Sequence, residues 1–199
     1  MDQSTDPRDT ALRLRIVGNI IDFGPNLIYD LWEEVERVLA QDLAIDDTAD
    51  LEVELSCAES VLFLRDNAGE TVFDRLLIER LVKPVTYVVR GGPVLNDATM
   101  DDAIAACIDC VADVVDNSAR AAGTILSMCS DEFLELFRSA DLIIAKGMGN
   151  YETLSGVAAP IFFLLQAKCP IIGQDVGAPP GCTIVKRGQF YSQETSNKF

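Results

Sequence analysis

The apolar run Val61-Leu62-Phe63-Leu64 stops abruptly on Arg65-Asp66-Asn67-Ala68-Gly69-Glu70. A short, uniformly apolar segment bounded by polar turn residues reads as a strand buried on both faces, as in parallel sheets covered by helices. Two further segments repeat the pattern. Val85-Thr86-Tyr87-Val88-Val89-Arg90 is β-branched and runs into Gly91-Gly92-Pro93-Val94-Leu95-Asn96-Asp97. Leu142-Ile143-Ile144-Ala145 runs into Lys146-Gly147-Met148-Gly149-Asn150. Helical patterns lie between them, so the expected class is α/β: a Rossmann-like, mostly parallel sheet flanked by helices. Ligands of such sheets bind in the crevice outside the carboxyl ends of the strands. There the chain delivers Asp66, Asn67, Asp97 and Lys146. Carboxylates beside an amide oxygen suit a hard divalent cation, and a lysine suits an anion. A metal-plus-phosphate site at the C-terminal strand ends is the leading expectation.

The remaining segments are read from periodicity and breakers. Residues 11–23 read as helix, ended by Gly24-Pro25, and residues 27–42 as an amphipathic helix. Residues 43–56 look loop-like, with a short element near 51–55. A helix over 70–82 is expected to turn Val72, Leu76, Leu77 and Leu81 inward. Another is expected over 100–108, with Asp101 and Asp102 at its positive end. Residues 111–115 are either a short strand or a continuation of that helix. Ser130 is placed to cap a helix over 131–139. A glycine-rich turn should precede a helix near 151–156. Ile161–Gln166 and Ile171-Ile172 read as the last core strands, and 183–185 as an edge strand. The whole is expected to be a single domain over residues 11–190.

Composition narrows the chemistry. Among 199 residues there is no histidine, which removes Ser-His-Asp and Cys-His catalysis and histidine metal ligation. Any general base is a carboxylate, lysine, tyrosine, cysteine or cation-activated water. The formal charge of −16 argues against nucleic acid and anionic lipid as partners. It would also repel a phosphorylated substrate, so such a substrate needs a local positive focus, which a metal, Lys146 and Arg90 could supply. No apolar run approaches the roughly 20 residues of a membrane helix, and the first residues are polar, so the expected location is cytoplasmic. The six cysteines are then reduced thiols, and Cys107-Ile108-Asp109-Cys110, lacking a second such pair, reads as incidental core cysteine. Glu70 alone reads as an acid compensating a helix dipole, and Tyr151 as structural. A Walker P-loop is absent, and Ala68 stands where a haloacid-dehalogenase-like phosphatase needs its second aspartate.

Four motifs in order carry a resemblance: Gly18-Asn19-Ile20-Ile21-Asp22-Phe23-Gly24, Arg65-Asp66-Asn67-Ala68-Gly69-Glu70, Val88-Val89-Arg90-Gly91-Gly92-Pro93-Val94-Leu95-Asn96-Asp97-Ala98-Thr99 and Ala145-Lys146-Gly147-Met148-Gly149-Asn150-Tyr151-Glu152. Together they resemble the damage-control phosphatases, a family long called a domain of unknown function. The resemblance implies a metal-dependent phosphatase acting on small phosphometabolites such as sugar phosphates. It implies that Asp66, Asn67 and Asp97 hold one divalent metal (Mg, Mn, Co or Ni). It also implies that Lys146 contacts the substrate phosphate, with Asn19, Arg90 and Asn150 on the substrate side. Asp66 and Lys146 are then the catalytic pair, and the attacking group is either cation-activated water or the Asp66 carboxylate. A non-catalytic metabolite- or metal-binding regulatory module is the alternative. Members of this branch carry a helical segment ahead of the first motif, whereas only about ten residues precede Ala11 here. The expectation is that the apolar face of Leu12, Leu14, Ile16 and Val17 either pairs chains into a homo-oligomer or belongs to a longer protein.

Overall fold

The computed structural model describes residues 42–189. Their elements run β1 (Ile45–Asp46), α1 (Thr48–Cys57), β2 (Val61–Leu64), α2 (Thr71–Leu81), β3 (Val85–Val89), α3 (Met100–Ala105) and β4 (Asp113–Asp116). They continue with α4 (Asp131–Ser139), β5 (Ile143–Lys146), α5 (Gly147–Leu154), β6 (Ile161–Gln166), α6 (Pro170–Val176) and β7 (Thr183–Arg187). All seven strands join one sheet in the order β1-β7-β6-β5-β2-β3-β4. β2 to β6 are mutually parallel; β7 pairs antiparallel with β6 and parallel with β1. The α/β, mostly parallel expectation holds.

The connectivity creates the crevice. From β2 the chain moves outward to β3 and β4, then crosses back to β5 on the other side of β2. β2 and β5 are therefore neighbours whose continuations diverge, which is the topological switch point where ligands bind in open α/β sheets. Strand alternation divides the core in two. Val61, Phe63, Val85, Tyr87 and Ile144 pack on one face, with Leu51, Leu77 and Ile78 of the covering helices. Leu62, Leu64, Val88, Ile143 and Ala145 pack on the other, with Phe133, Phe137, Tyr151 and Leu154.

Several helix ends are written locally. The Ser130 Oγ accepts from the Phe133 backbone N–H at 3.2 Å, as its position ahead of two acids predicts. Thr99 and Asp102 form a reciprocal capping box at the start of α3.

Other segments depart from expectation. Residues 43–56 hold β1 and a full helix, α1, rather than a loop. Leu51, Val53 and Leu55 alternate with acids and suggest no helical stripe, and only Leu51 is buried. In α2, Leu77 and Ile78 face the core, while Val72 and Leu76 are exposed at 59% and 43%. The glycine-rich stretch after β5 is the first turn of α5, not a turn before it. Ile171-Ile172 lies in α6, which opens on Pro170 at its first position, a place where proline's missing N–H costs no bond. β7 lies between β1 and β6 rather than at the edge. Of residues 111–115, those from Asp113 on form strand β4, and α3 ends at Ala105. The cysteines are free thiols but not core: Cys57, Cys107 and Cys110 are exposed and the other three half-buried. The segment read as a helix over 11–23, all but the last residue of the one read over 27–42, and the apolar face of Leu12, Leu14, Ile16 and Val17 lie outside the described residues.

The contrast within this face of the sheet is testable. Phe63 is fully buried and stacks on Tyr87 at 5.5 Å. Phe63→Ala should cost about 3–5 kcal/mol in urea unfolding, whereas exposed Val72→Ala should stay within about 0.5 kcal/mol.

Candidate active site

Two loops leave the carboxyl ends of β2 and β3 and are fastened to each other. The Ala68 N–H donates to the Asn96 carbonyl at 2.8 Å, and the Ala98 N–H to the Asp66 carbonyl at 3.1 Å. The result is an isolated antiparallel bridge between Asn67 and Asp97. Residues thirty positions apart in sequence are thereby brought to one patch, and Asp66 sits beside them. The third wall is Gly147, which enters α5 directly from β5 with φ +81°. A β-carbon there would stand 1.9 Å from Asp66 Oδ2, so no side chain fits even apart from the backbone conformation.

Below the patch, polar side chains occupy both faces of the sheet, sorted by strand alternation. On the face of Leu64 and Val88, Arg90 donates from Nε to Asp97 Oδ2 at 2.6 Å and from Nη1 to Thr124 Oγ1 at 3.2 Å. Its Nη2 lies 3.5 Å from Asn150 Oδ1, which also accepts from Thr124 Oγ1 at 2.8 Å. The Asn150 nitrogen donates to the Arg65 carbonyl at 3.0 Å and the Lys146 carbonyl at 2.8 Å. One buried amide thus ties the ends of β2 and β5 at the switch point.

On the face of Phe63 and Ile144, the Lys146 ammonium is fully buried and pairs with both Glu70 and Asp74, the latter at 2.7 Å. Tyr87 donates its hydroxyl to Asp74 Oδ2 at 2.7 Å. Asn67 donates from Nδ2 to Glu70 Oε1 at 2.8 Å and lies 3.4 Å from Asp66 Oδ2. Arg65, also fully buried, donates to the Asp66 carbonyl and stands 3.8 Å from Asp97 Oδ2.

Electrostatics follow from this crowding. Burial, then the Asp97 charge, raises the Asp66 carboxyl to about 6, with Lys146, Lys168 and Arg90 opposing. Burial raises Glu70 to about 8, opposed by Lys146. The Arg65 guanidinium is lowered to about 10 by burial and by Arg90. Burial and the Asp74 charge push the Tyr87 hydroxyl well above its ordinary range. Across the cluster, Arg65, Arg90 and Lys146 are interleaved with Asp66, Asp97, Glu70 and Asp74. A hard cation fits that donor set: two carboxylates that repel one another and an amide, all oxygen. Among the described residues no three His, Cys, Asp or Glu side chains converge as a closed metal cage, so such an ion would keep several waters.

The sequence-predicted residues fare differently. Asp66, Asn67 and Asp97 are drawn together by the loop bridge. Arg90 and Asn150 lie beneath them as buried hydrogen-bonding groups. Lys146 lies on the opposite face, between two carboxylates. Asn19 lies outside the described residues. Glu70 is no solvated dipole-compensating acid: it is fully buried against Lys146. Tyr151 is structural, edge-on to Phe163 at 5.2 Å. Asp74, Tyr87, Arg65 and Thr124 escaped the sequence reading. Asp74 had a signal, because it shares the apolar stripe of Leu77, Ile78 and Leu81 at helical spacing. Thr124 lies in a loop with no motif to mark it.

Comparison with known proteins identifies the family. The damage-control phosphatase ARMT1-like domain matches residues 1–184. The chain belongs to that damage-control phosphatase family. It is 41% identical over 188 residues to a damage-control phosphatase of Pyrococcus horikoshii, covering 92% of this chain and 66% of that protein. A damage-control phosphatase of Archaeoglobus fulgidus is 42% identical over 192 residues, with 92% and 66% covered. An uncharacterized protein of Methanocaldococcus jannaschii is 41% identical, with 92% and 64% covered. The chain thus spans slightly under two thirds of the length of these relatives. The crystal structure of a DUF89 family protein from Pyrococcus horikoshii superposes with a TM-score of 0.85 at 39% identity, covering 94% of this chain and 68% of that one.

In this family member, Gly147 resists substitution on two counts. Gly147→Ala combines a left-handed backbone, worth about 1–2 kcal/mol for a non-glycine residue, with a collision against Asp66. The expected result is a lower melting temperature together with loss of divalent-ion binding in a calorimetric titration with Mn²⁺.

Proposed function

We propose that this chain is a divalent-metal-dependent phosphomonoester hydrolase of small phosphometabolites such as sugar phosphates. The observation that carries the reading is the loop bridge that brings Asp66, Asn67 and Asp97 together at the switch point. The names of the Pyrococcus and Archaeoglobus relatives support it. The residues that would hold the metal are Asp66, Asn67 and Asp97. The metal, when bound, supplies a concentrated positive charge to phosphate oxygens.

The chain's own residues do the rest. Arg90, anchored on Asp97, Thr124 and Asn150, keeps the Asp97 carboxylate oriented and contributes positive potential to the crevice. Lys146 has three N–H donors, of which two are engaged by Glu70 and Asp74; the third is left for a phosphate oxygen. Asn150 keeps the two strand ends in register beneath the substrate. Asn19, in the first motif, is assigned to the substrate side by the family resemblance alone. Lys168, exposed and close enough to act on Asp66, helps to draw an anion against the acidic surface. Mg, Mn, Co and Ni are all compatible with an oxygen donor set that leaves water positions open. No helix among the described residues is long and apolar enough to cross a membrane.

The decisive experiment is hydrolysis of p-nitrophenyl phosphate and a panel of sugar phosphates by metal-stripped protein, with each of the four ions restored in turn. Turnover should appear only with metal. Asp66→Ala and Asp97→Ala should reduce it to background, and Lys146→Ala should lower kcat/KM by about 10²-fold, the scale of one lost charge-stabilising donor. Tight phosphate binding without turnover on any substrate would favour the binding-module reading.

A further inference from the structure

On the Val88 face, the directions of the buried hydrogen bonds are set by two carbonyls, an amide, a hydroxyl and a guanidinium. The Asn150 nitrogen is held by the carbonyls of Lys146 at 2.8 Å and Arg65 at 3.0 Å, so its oxygen faces the other way. That oxygen accepts from Thr124 Oγ1 at 2.8 Å, with Arg90 Nη2 at 3.5 Å. A hydroxyl has one proton. With it given to Asn150, the Thr124 oxygen is left to accept from Arg90 Nη1, at 3.2 Å. The Arg90 Nε then reaches Asp97 Oδ2 at 2.6 Å. Asn150 and Thr124 are fully buried, and Arg90 nearly so.

Asp97 is held from one side. Arg90 takes Oδ2, and Arg65 stands 3.8 Å from the same oxygen. Among the described residues no hydrogen bond or ion pair reaches Oδ1. Both oxygens of a carboxylate can accept, so the one that is committed depends on how the Arg90 fork is rolled about its stem. Thr124 fixes that roll from the other arm of the fork. The loop carrying Thr124 is fastened by separate contacts. The Thr124 N–H donates to Thr153 Oγ1 at 3.0 Å, and Gly123 lies so close to the Gly149 carbonyl that a β-carbon would stand 2.1 Å from its oxygen. The hydroxyl can therefore be removed without freeing the loop.

We infer that Thr124 is a positioning residue: its hydroxyl holds Arg90 on Asp97 Oδ2 and leaves Oδ1 as the oxygen that a divalent cation takes. Thr124 touches neither cation nor substrate in this scheme. The inference rests on Asp97 belonging to the cation site proposed above. Were Thr124 only filling space, Thr124→Ser, one methyl smaller, would lose at least as much as Thr124→Val, which keeps the shape.

The test is calorimetric titration of the whole metal-stripped chain with Mn²⁺, without substrate, alongside thermal melts. Thr124→Val should weaken Mn²⁺ about 3- to 10-fold, at or below the low end of losses from outer-shell groups. Thr124→Ser keeps the hydroxyl and should bind like the parent. In an Arg90→Lys background the ammonium keeps the charge but has no fork to reach Thr124, so Thr124→Val should there cost less than about twofold. Three results overturn the inference while leaving the phosphatase reading intact: no loss in Thr124→Val, an equal loss in Thr124→Ser, or an equal Thr124→Val loss in the Arg90→Lys background. Should Thr124→Val fail to fold, Thr124→Ala against Thr124→Ser decides by the same comparison. Should Arg90→Lys take up no Mn²⁺, Thr124→Val and Thr124→Ser decide alone. Parent protein that takes up no Mn²⁺ overturns both the inference and the reading beneath it.

Discussion

Asn150 holds together the two strand ends between which the candidate site opens. β2 and β5 run side by side, but the chain leaves each in a different direction, so their last carbonyls have no strand left to pair with. One buried amide donates to both, from the first turn of α5. Its oxygen is claimed by Thr124 and approached by Arg90, so the same group that joins the strands also sets the cation that holds Asp97. A buried amide without those partners would be costly. With them, it fixes the distance between the wall that carries Asp66 and the wall that carries Gly147.

The ionic groups beneath the patch are a liability in any protein core, since desolvation of charge often exceeds what pairing returns. Here they are divided between the two faces of the sheet, Arg90 on one and Lys146 with Glu70 and Asp74 on the other. Neither face then needs to bury the whole cluster, and each has its own apolar layer below. Arg65 contacts the Asp66 backbone rather than a carboxylate at bonding distance.

Much of this was visible in the residues. β2, β3, β5 and β6 are apolar or β-branched runs that end in polar turns, and α4 announces itself by Ser130. Asp66 and Asn67 stand just past the end of β2 and Asp97 in the loop after β3, so topology puts them at one edge of the sheet and the loop bridge joins them. What escaped depended on tertiary context. The apolar residues of α1 alternate as a strand's would, yet the segment is a helix that packs Leu51 and Leu55 on the core. Ile171-Ile172 is β-branched, yet Pro170 starts a helix ahead of it. Lys146 was legible as a strand-end residue, but its full burial between Glu70 and Asp74, on the face set by alternation from Ile144, was not. Thr124 and Tyr87 carry no pattern at all; they matter only because of what folds against them.

The order of strands in the sheet also imposes an order of assembly. β2, β3 and β4 leave the ribosome first and can pair with one another, with α2 laid across them. At that stage Glu70 and Asp74 are both present on the helical side, while the lysine that separates them, at the end of β5, has not been made. The half-sheet therefore carries two facing acids and no counter-charge until residue 146 arrives. Nascent chains shorter than that have a reason to stay loose at this edge, and closure of the crevice becomes the event that joins the two halves of the sheet.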